Sequence, residues 1–428
     1  MRFSAVHGHV LIFATVFLGT SVHYAEAFGR DVERASKPLK VFILAGQSNM
    51  QGHAKTHTLE HVGMDPMTKP IFELLANPDN SPKTFPDVWI NLLSSDKTKT
   101  GNLTAGFGAD DGKLGPEFAF GAYMQQMVGE PILIIKTAWG GKSINTDFRS
   151  PSGGDYEFSE QQIERFKNQE KDLKQIKADK KAATGKYYRL MMEHIKAALA
   201  DIKSTYPGFD KKQGYELAGF VWFQGWNDMV DNGFYPNRNQ AGGYQQYGKL
   251  LEHFIRDVRK DLAVPDLPFV IGVMGVGGPT DQYDQDQQRY KQMHQNFRDA
   301  MAAPAKLPEF KDNVAAVLTE KFWDQELAAL RTRQAKIGDA VRNASKESKL
   351  DGKTRETMRE KLMSEEFSEE ERDIIAKGIS NLEYHYLGSA KIMTQIGKAF
   401  AEAVHELQNN ERAQIRELVE VICSRILG

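Results

Sequence analysis

The sequence predicts an α/β protein, a three-layer α/β/α sandwich around a central parallel sheet of five strands. Three observations lead there. First, short continuous apolar runs recur along the chain, at residues 41–45, 131–135, 217–223, 269–274 and 313–318. A run that is apolar at every position suits a strand covered on both faces, whereas a half-exposed strand alternates. Second, these runs are separated by stretches with helical spacing of apolar residues, and strands alternating with helices build a parallel sheet between two helical layers. Third, several of the runs stop at glycine-bearing polar turns, at the carboxyl ends where sites of open α/β sheets lie.

Bulk properties set outer bounds. The chain has 428 residues, enough for one large domain with insertions or for two domains. Its 55 Lys and Arg nearly balance 57 Asp and Glu, and the signs are interspersed. Such a balance gives no ground for nucleic acid or an anionic membrane as partner. The single cysteine, Cys423, excludes an intramolecular disulfide and reads as a packed apolar residue. At the N-terminus, Arg2, the apolar stretch 10–18 and Ala25-Glu26-Ala27 read as a secretory signal peptide cut after Ala27. The expected location is therefore secreted or periplasmic, with no stable membrane anchor after cleavage.

After a polar leader, the first run ends in Gly46-Gln47-Ser48-Asn49-Met50. A serine on the turn leaving a buried strand is held by the scaffold and exposed at the sheet edge, where a nucleophile is useful. The same serine also reads as a helix cap. His53 reads first as a surface histidine and second as a further site residue. Residues 56–112, rich in Pro, Asn, Asp, Gly and Thr, read as a long ordered loop with one short helix and a β-like segment at 88–90, placed to wall a cleft. Leu114-Gly115-Pro116-Glu117 opens a helix. The second run ends at Trp139-Gly140-Gly141, where paired glycines allow close backbone approach or simply a tight turn.

Residues 159–205 form a charged helical insertion whose second half packs better than its first. The third run ends in Gln224-Gly225-Trp226-Asn227-Asp228, placing an asparagine amide at a strand end; Asp228 reads as structural. A Gln-rich polar helix spans 281–301, and a second charged insertion spans 326–377. Asn381-Leu382-Glu383-Tyr384-His385 then precedes a long amphipathic helix through Ile392, Ile396, Phe400 and Val404, with a helical tail from residue 409.

The G-Q-S-N-M of residues 46–50 is not the G-x-S-x-G elbow of α/β-hydrolases, because Met50 stands at the second glycine. It resembles the first block of the SGNH hydrolases, and most closely the branch of sialate O-acetylesterases and acetylxylan esterases, carbohydrate esterase family 6. The resemblance covers the core from Lys40 to about Leu407, interrupted by the two charged insertions. It implies the flavodoxin-like SGNH fold, with an esterase domain expected over residues 28–408, and a serine carbohydrate esterase that removes O-acetyl groups from sugars. It implies Ser48 as nucleophile and His385 as base. The oxyanion hole would comprise Ser48, Gly140, Gly141 and Asn227, and Gln47, Asn49, Gln224 and Trp226 would bind substrate. The family's aspartate before the histidine is absent, and Glu383 stands two residues before His385 as the substitute carboxylate. Relatives often carry glutamate at the position of Trp226. The expected partner is an acetylated carbohydrate, with no cofactor and no metal. Two alternatives stay open: a catalytically silent carbohydrate-binding or scaffold protein, and an esterase for non-sugar substrates.

Overall fold

The structure, a computed structural model, describes residues 37–95 and 97–427, with side chains through residue 410. The predicted signal peptide and the Cys423 side chain lie outside the described residues. The central sheet has seven strands: β1 (Leu39–Gly46), β2 (Phe85–Ser94), β3 (Lys97–Leu103), β4 (Ile132–Ala138), β5 (Tyr215–Phe223), β6 (Phe269–Val273) and β7 (Val314–Leu318). Their order is β3-β2-β4-β1-β5-β6-β7. All neighbours pair in parallel except β2 and β3, an antiparallel hairpin at one edge.

The five predicted strands are present, but the sheet is wider than expected. The hairpin β2–β3 lies inside the stretch read from sequence as loop. β3 is rich in Lys and Thr and half exposed along most of its length, as suits a sheet edge, so it lacks the apolar run that marks the inner strands. An antiparallel edge strand on an otherwise parallel sheet is a common arrangement.

Register positions the strand ends. β1 sits between β4 and β5, with Gly46 opposite Ala138 on one side and Phe223 on the other. The residues that follow, Gln47-Ser48, Trp139-Gly140 and Gln224-Gly225, therefore leave the sheet side by side. A β-carbon at Gly46 would stand 2.1 Å from the Phe223 carbonyl oxygen, so only glycine allows this approach.

Both faces of the sheet are covered. On one, the helix Pro116–Val128 packs on β2 and β4, and the long helix Ala390–Leu427 packs on β5, β6 and β7. Ile392, Ile396, Phe400 and Val404 recur every fourth residue along the latter and are fully buried. On the other face, Lys186–Ala200 buries Tyr188, Met191 and Ile195, and Gln245–Leu262 brings the Phe254 ring within 4.2 Å of Trp222. Two charged regions stand outside this core. Helices Glu160–Asn168 and Leu173–Ala183 bury no residue. Helices Gln325–Ser348, Gly352–Glu366 and Glu369–Gly378 enclose a separate small apolar cluster of Leu330, Ile337, Val341, Phe367 and Ile375.

One ion pair lies wholly inside the core. Lys136 on β4 donates to Glu117 Oε2 (2.7 Å), Phe107 O (2.8 Å) and Gln51 O (2.9 Å), and the Gly115 N–H donates to Glu117 Oε1 (2.9 Å). Burial pushes Glu117 up and Lys136 down, each opposed by the charge of the other. The ammonium thereby ties the short helix Ser48–Gln51 to β4 and to the start of the helix Pro116–Val128.

Candidate active site

Ser48 opens the short helix Ser48–Gln51, whose turn is closed by Gln51 N–H to Gln47 O and Gly52 N–H to Ser48 O. Its side chain is largely covered, at 8% exposure. A β-carbon on Gly140 would stand 4.0 Å from the Ser48 β-carbon, so the Gly140 backbone lies against the serine. Gly141, in the left-handed region at φ 72°, points its missing side chain into open space.

Gln47 is the hinge of an internal network. Its Nε2 donates to Asn227 Oδ1 (3.0 Å), and its Oε1 accepts from the Gly225 N–H (3.0 Å) and from Gln224 Nε2 (3.1 Å). With its oxygen held by Gln47, Asn227 keeps its Nδ2 as the free end, and among the described residues no protein acceptor takes it. Gln224 also donates to Asp228 Oδ2 (2.6 Å) and to Lys142 O (3.0 Å). Asp228 is fully buried and accepts from the N–H groups of Ile144 and Asn145 and from the Tyr235 hydroxyl. Burial pushes its carboxyl up to about 6 despite these four donors. The aspartate is thus a clamp that fixes the loop after Gly140 and Gly141 to the end of β5.

Three of the four side chains expected to bind substrate are buried in or beside this network. Gln47 and Gln224 are each 1% exposed, and their amides are spent on one another and on the loop backbone. Asn49 is buried as well, its Oδ1 without a partner. Trp226 differs. It is half-buried, with its ring 5.6 Å from that of Tyr384.

His385 lies in the segment Glu383–Gly388, two 3₁₀ turns joined across a kink with non-helical backbone at His385, Tyr386 and Leu387. The segment packs directly on the helix Ser48–Gln51. No hydrogen bond joins Ser48 Oγ to His385; among the described residues the serine oxygen meets only Gln47 Nε2, at 3.5 Å. Catalytic hydrogen bonds are often long until substrate binds. The segment is strained: Tyr386 (φ 51°) and Leu387 (φ 61°) both sit in the left-handed region, which is costly for side chains of this size. It is held by the buried Tyr386 hydroxyl, which accepts from the Gly275 N–H (2.8 Å) and shares a hydrogen bond with Thr319 Oγ1 (2.7 Å).

The structure also corrects the expected partner of the histidine. Glu383 is exposed and pairs with Arg331 Nε at 3.4 Å. His385 Nδ1 instead faces Asn381 Oδ1 at 3.1 Å. The expectation assumed an extended segment, in which residues two apart share a side. In a 3₁₀ turn they point apart, and the chain folds the residue four back onto the ring. Burial is the main cause that lowers His385 to about 4, followed by the charge of Lys113, so the ring is neutral near pH 7. His53 is half-buried rather than on the surface, and its ring stacks on His385 with centroids 3.8 Å apart. Sequence reasoning missed Asn381 and Tyr384; for Asn381 the only signal was its place in the segment leading to His385.

An open groove lined by Ser94, Ser95, Lys97, Lys99, Asp110 and Asp111 lies beside these strand ends, next to the Gln51–Ser94 hydrogen bond. Among the described residues, no group of three or more His, Cys, Asp or Glu side chains is placed to hold a metal ion.

Compared with known protein families, residues 38–321 match carbohydrate esterase, sialic acid-specific acetylesterase. The chain belongs to this family. The match spans Ser48, Gly140 and Asn227 and stops before the second charged insertion and His385. No curated protein matches. Among solved structures, a protein from Arabidopsis thaliana has 18% identity and a TM-score of 0.35, with 66% of this chain and 86% of that chain covered. A carbohydrate acetylesterase from Xanthomonas citri has 14% identity and a TM-score of 0.33, with 65% of this chain and 49% of that chain covered.

Proposed function

We propose that this member of the family hydrolyses O-acetyl esters on sugars or polysaccharides, with Ser48 as nucleophile and His385 as general base. The observation that carries the reading is the register of β1, β4 and β5, which delivers Ser48, Gly140 and Asn227 to one edge of the sheet, within the residues that match the family.

In the proposed reaction, Ser48 Oγ bonds to the acetyl carbonyl carbon as its proton passes to His385 Nε2. The carbonyl oxygen takes the negative charge and is met by the Ser48 and Gly140 N–H groups and by Asn227 Nδ2, donors already fixed before charge develops. Collapse breaks the bond to the sugar oxygen, which takes the proton from His385. Water then attacks the acetyl-serine and gives its proton to His385. Acetate leaves, and Ser48 regains its hydrogen. Asn381 orients the imidazole through Nδ1, in the place a carboxylate occupies in a Ser-His-Asp site. Trp226 and Tyr384 offer an aromatic wall for the sugar ring, and the groove beside β2 offers polar contacts. Export follows from Arg2, the apolar stretch 10–18 and Ala25-Glu26-Ala27.

Asn381 also favours a second reading, a catalytically silent carbohydrate-binding protein, because an amide rather than a carboxylate faces His385 Nδ1 among the described residues. Acetate release from acetylated sialic acid, acetylated xylan and 4-nitrophenyl acetate separates the possibilities. Release from an acetylated sugar supports the proposal. Turnover of 4-nitrophenyl acetate alone indicates an esterase for other substrates. No turnover of any of the three by the folded protein leaves the silent reading.

A further inference from the structure

We propose that His53 is a positioning residue for His385: it supplies a neutral aromatic face that holds the imidazole flat and spreads its positive charge when it takes the serine proton. The inference rests on the Ser48–His385 reading above and goes beyond it. The two rings are 3.8 Å apart between centroids and 3° from parallel, so His53 covers a whole face of His385. Tyr384 meets the same ring at a steep angle, 67° with centroids 4.4 Å apart. Asn381 Oδ1 takes one ring edge at Nδ1. Together these contacts fix the plane of His385 and its rotation.

The stacking answers a chemical need. A histidine base becomes an imidazolium during acyl transfer, and an aspartate usually stabilises that charge. Here the orienting group is a neutral amide, and Glu383 is engaged with Arg331. A cation within about 6 Å of an aromatic face is attracted by the electron-rich face of the ring. That attraction requires His53 to stay uncharged, and its surroundings ensure this. Burial, then His385, then Lys113, and more weakly Lys136, push His53 down to about 3; Asp110 alone opposes them and is itself paired with Lys113. His53 is therefore still neutral when His385 becomes charged.

Two variants test the idea. In His53→Ala the face is lost and opened to water, whereas His53→Phe keeps an aromatic face and removes the ring nitrogens. With 4-nitrophenyl acetate, His53→Ala is expected to lower kcat about tenfold with KM little changed, and His53→Phe to recover to within about threefold of the parent. A third variant, His53→Leu, keeps the cover but not the aromatic face: because that face favours the imidazolium, the acid limb of kcat/KM, about 4 in the parent, drops in His53→Leu and stays in place in His53→Phe. An NMR titration of the His385 ring in the same three proteins reads the same shift without turnover. If the parent shows no esterase activity, the functional reading fails, while the titration still decides the role of His53. A folded His53→Ala protein with parental kcat, or a folded His53→Leu protein in which His385 titrates at or above the parental value, overturns the proposal. So does a folded His53→Phe protein as impaired as His53→Ala.

Discussion

At the scale of the residue, the site depends on which atoms the scaffold leaves free. Gln47 takes the Asn227 oxygen and leaves its amide nitrogen to donate. Asn227→Ala should therefore lower kcat by roughly 10²–10³, the usual cost of one oxyanion donor, with little change in KM; steady-state kinetics on an acetyl ester would show it. A rise in KM alone would instead make Asn227 a ground-state contact. The histidine segment yields a paired expectation. Glu383→Gln should be nearly silent, because the carboxylate belongs to an exposed ion pair with Arg331. Asn381→Leu, which removes the acceptor at His385 Nδ1, should cost about tenfold or more in kcat. Reversed rates for the two variants would restore Glu383 to the histidine. The places of Ser48 and Asn227 at strand ends and of His385 next to a helix start were legible in the sequence, while the roles expected of them came from the family resemblance. The identity of the histidine partner was not legible, since it depends on whether the segment from Asn381 to His385 runs extended or turns back on itself.

At the scale of the element, the apolar runs announced the inner strands because strands buried on both faces have no polar side to show. The edge hairpin was hidden by its solvent-facing composition. Most hidden of all was the Lys136–Glu117 pair, formed by a lysine at the end of an apolar run and an acid in a helix start 19 residues earlier. Removing one partner of a buried pair leaves an unpaired charge, so Lys136→Met should destabilise the fold by roughly 3–5 kcal/mol. It also frees the carbonyl of Gln51, at the end of the helix that begins with Ser48. Equilibrium denaturation measures the loss; a change below about 1 kcal/mol would mean that the pair contributes little beyond packing.

At the scale of the molecule, one buried histidine and four half-buried ones are held neutral at pH 7. Burial pushes His53 to about 3, and His294 and His385 to about 4, and lowers His61 and His194. Between about pH 6.5 and these values, the unfolded chain binds protons that the folded chain refuses, so stability must fall as pH falls through this window. Asp228, raised to about 6, and Glu117, also raised, act in the opposite sense, because a carboxyl held above its ordinary value favours the folded state as pH drops. Five groups against two give a net loss, visible as a lower denaturation midpoint at pH 5 than at pH 7. An equal or higher midpoint at pH 5 would show that the carboxyls dominate.

All of these scales converge on one hydroxyl at the end of β1. Treating the protein with a fluorophosphonate and measuring its intact mass asks directly whether Ser48 is an activated nucleophile, since an unactivated serine does not react. The account predicts one added phosphonyl group, located at Ser48 by peptide mapping, and no addition to folded Ser48→Ala or His385→Ala. An unlabelled parent protein, or a label carried equally by Ser48→Ala, would contradict it.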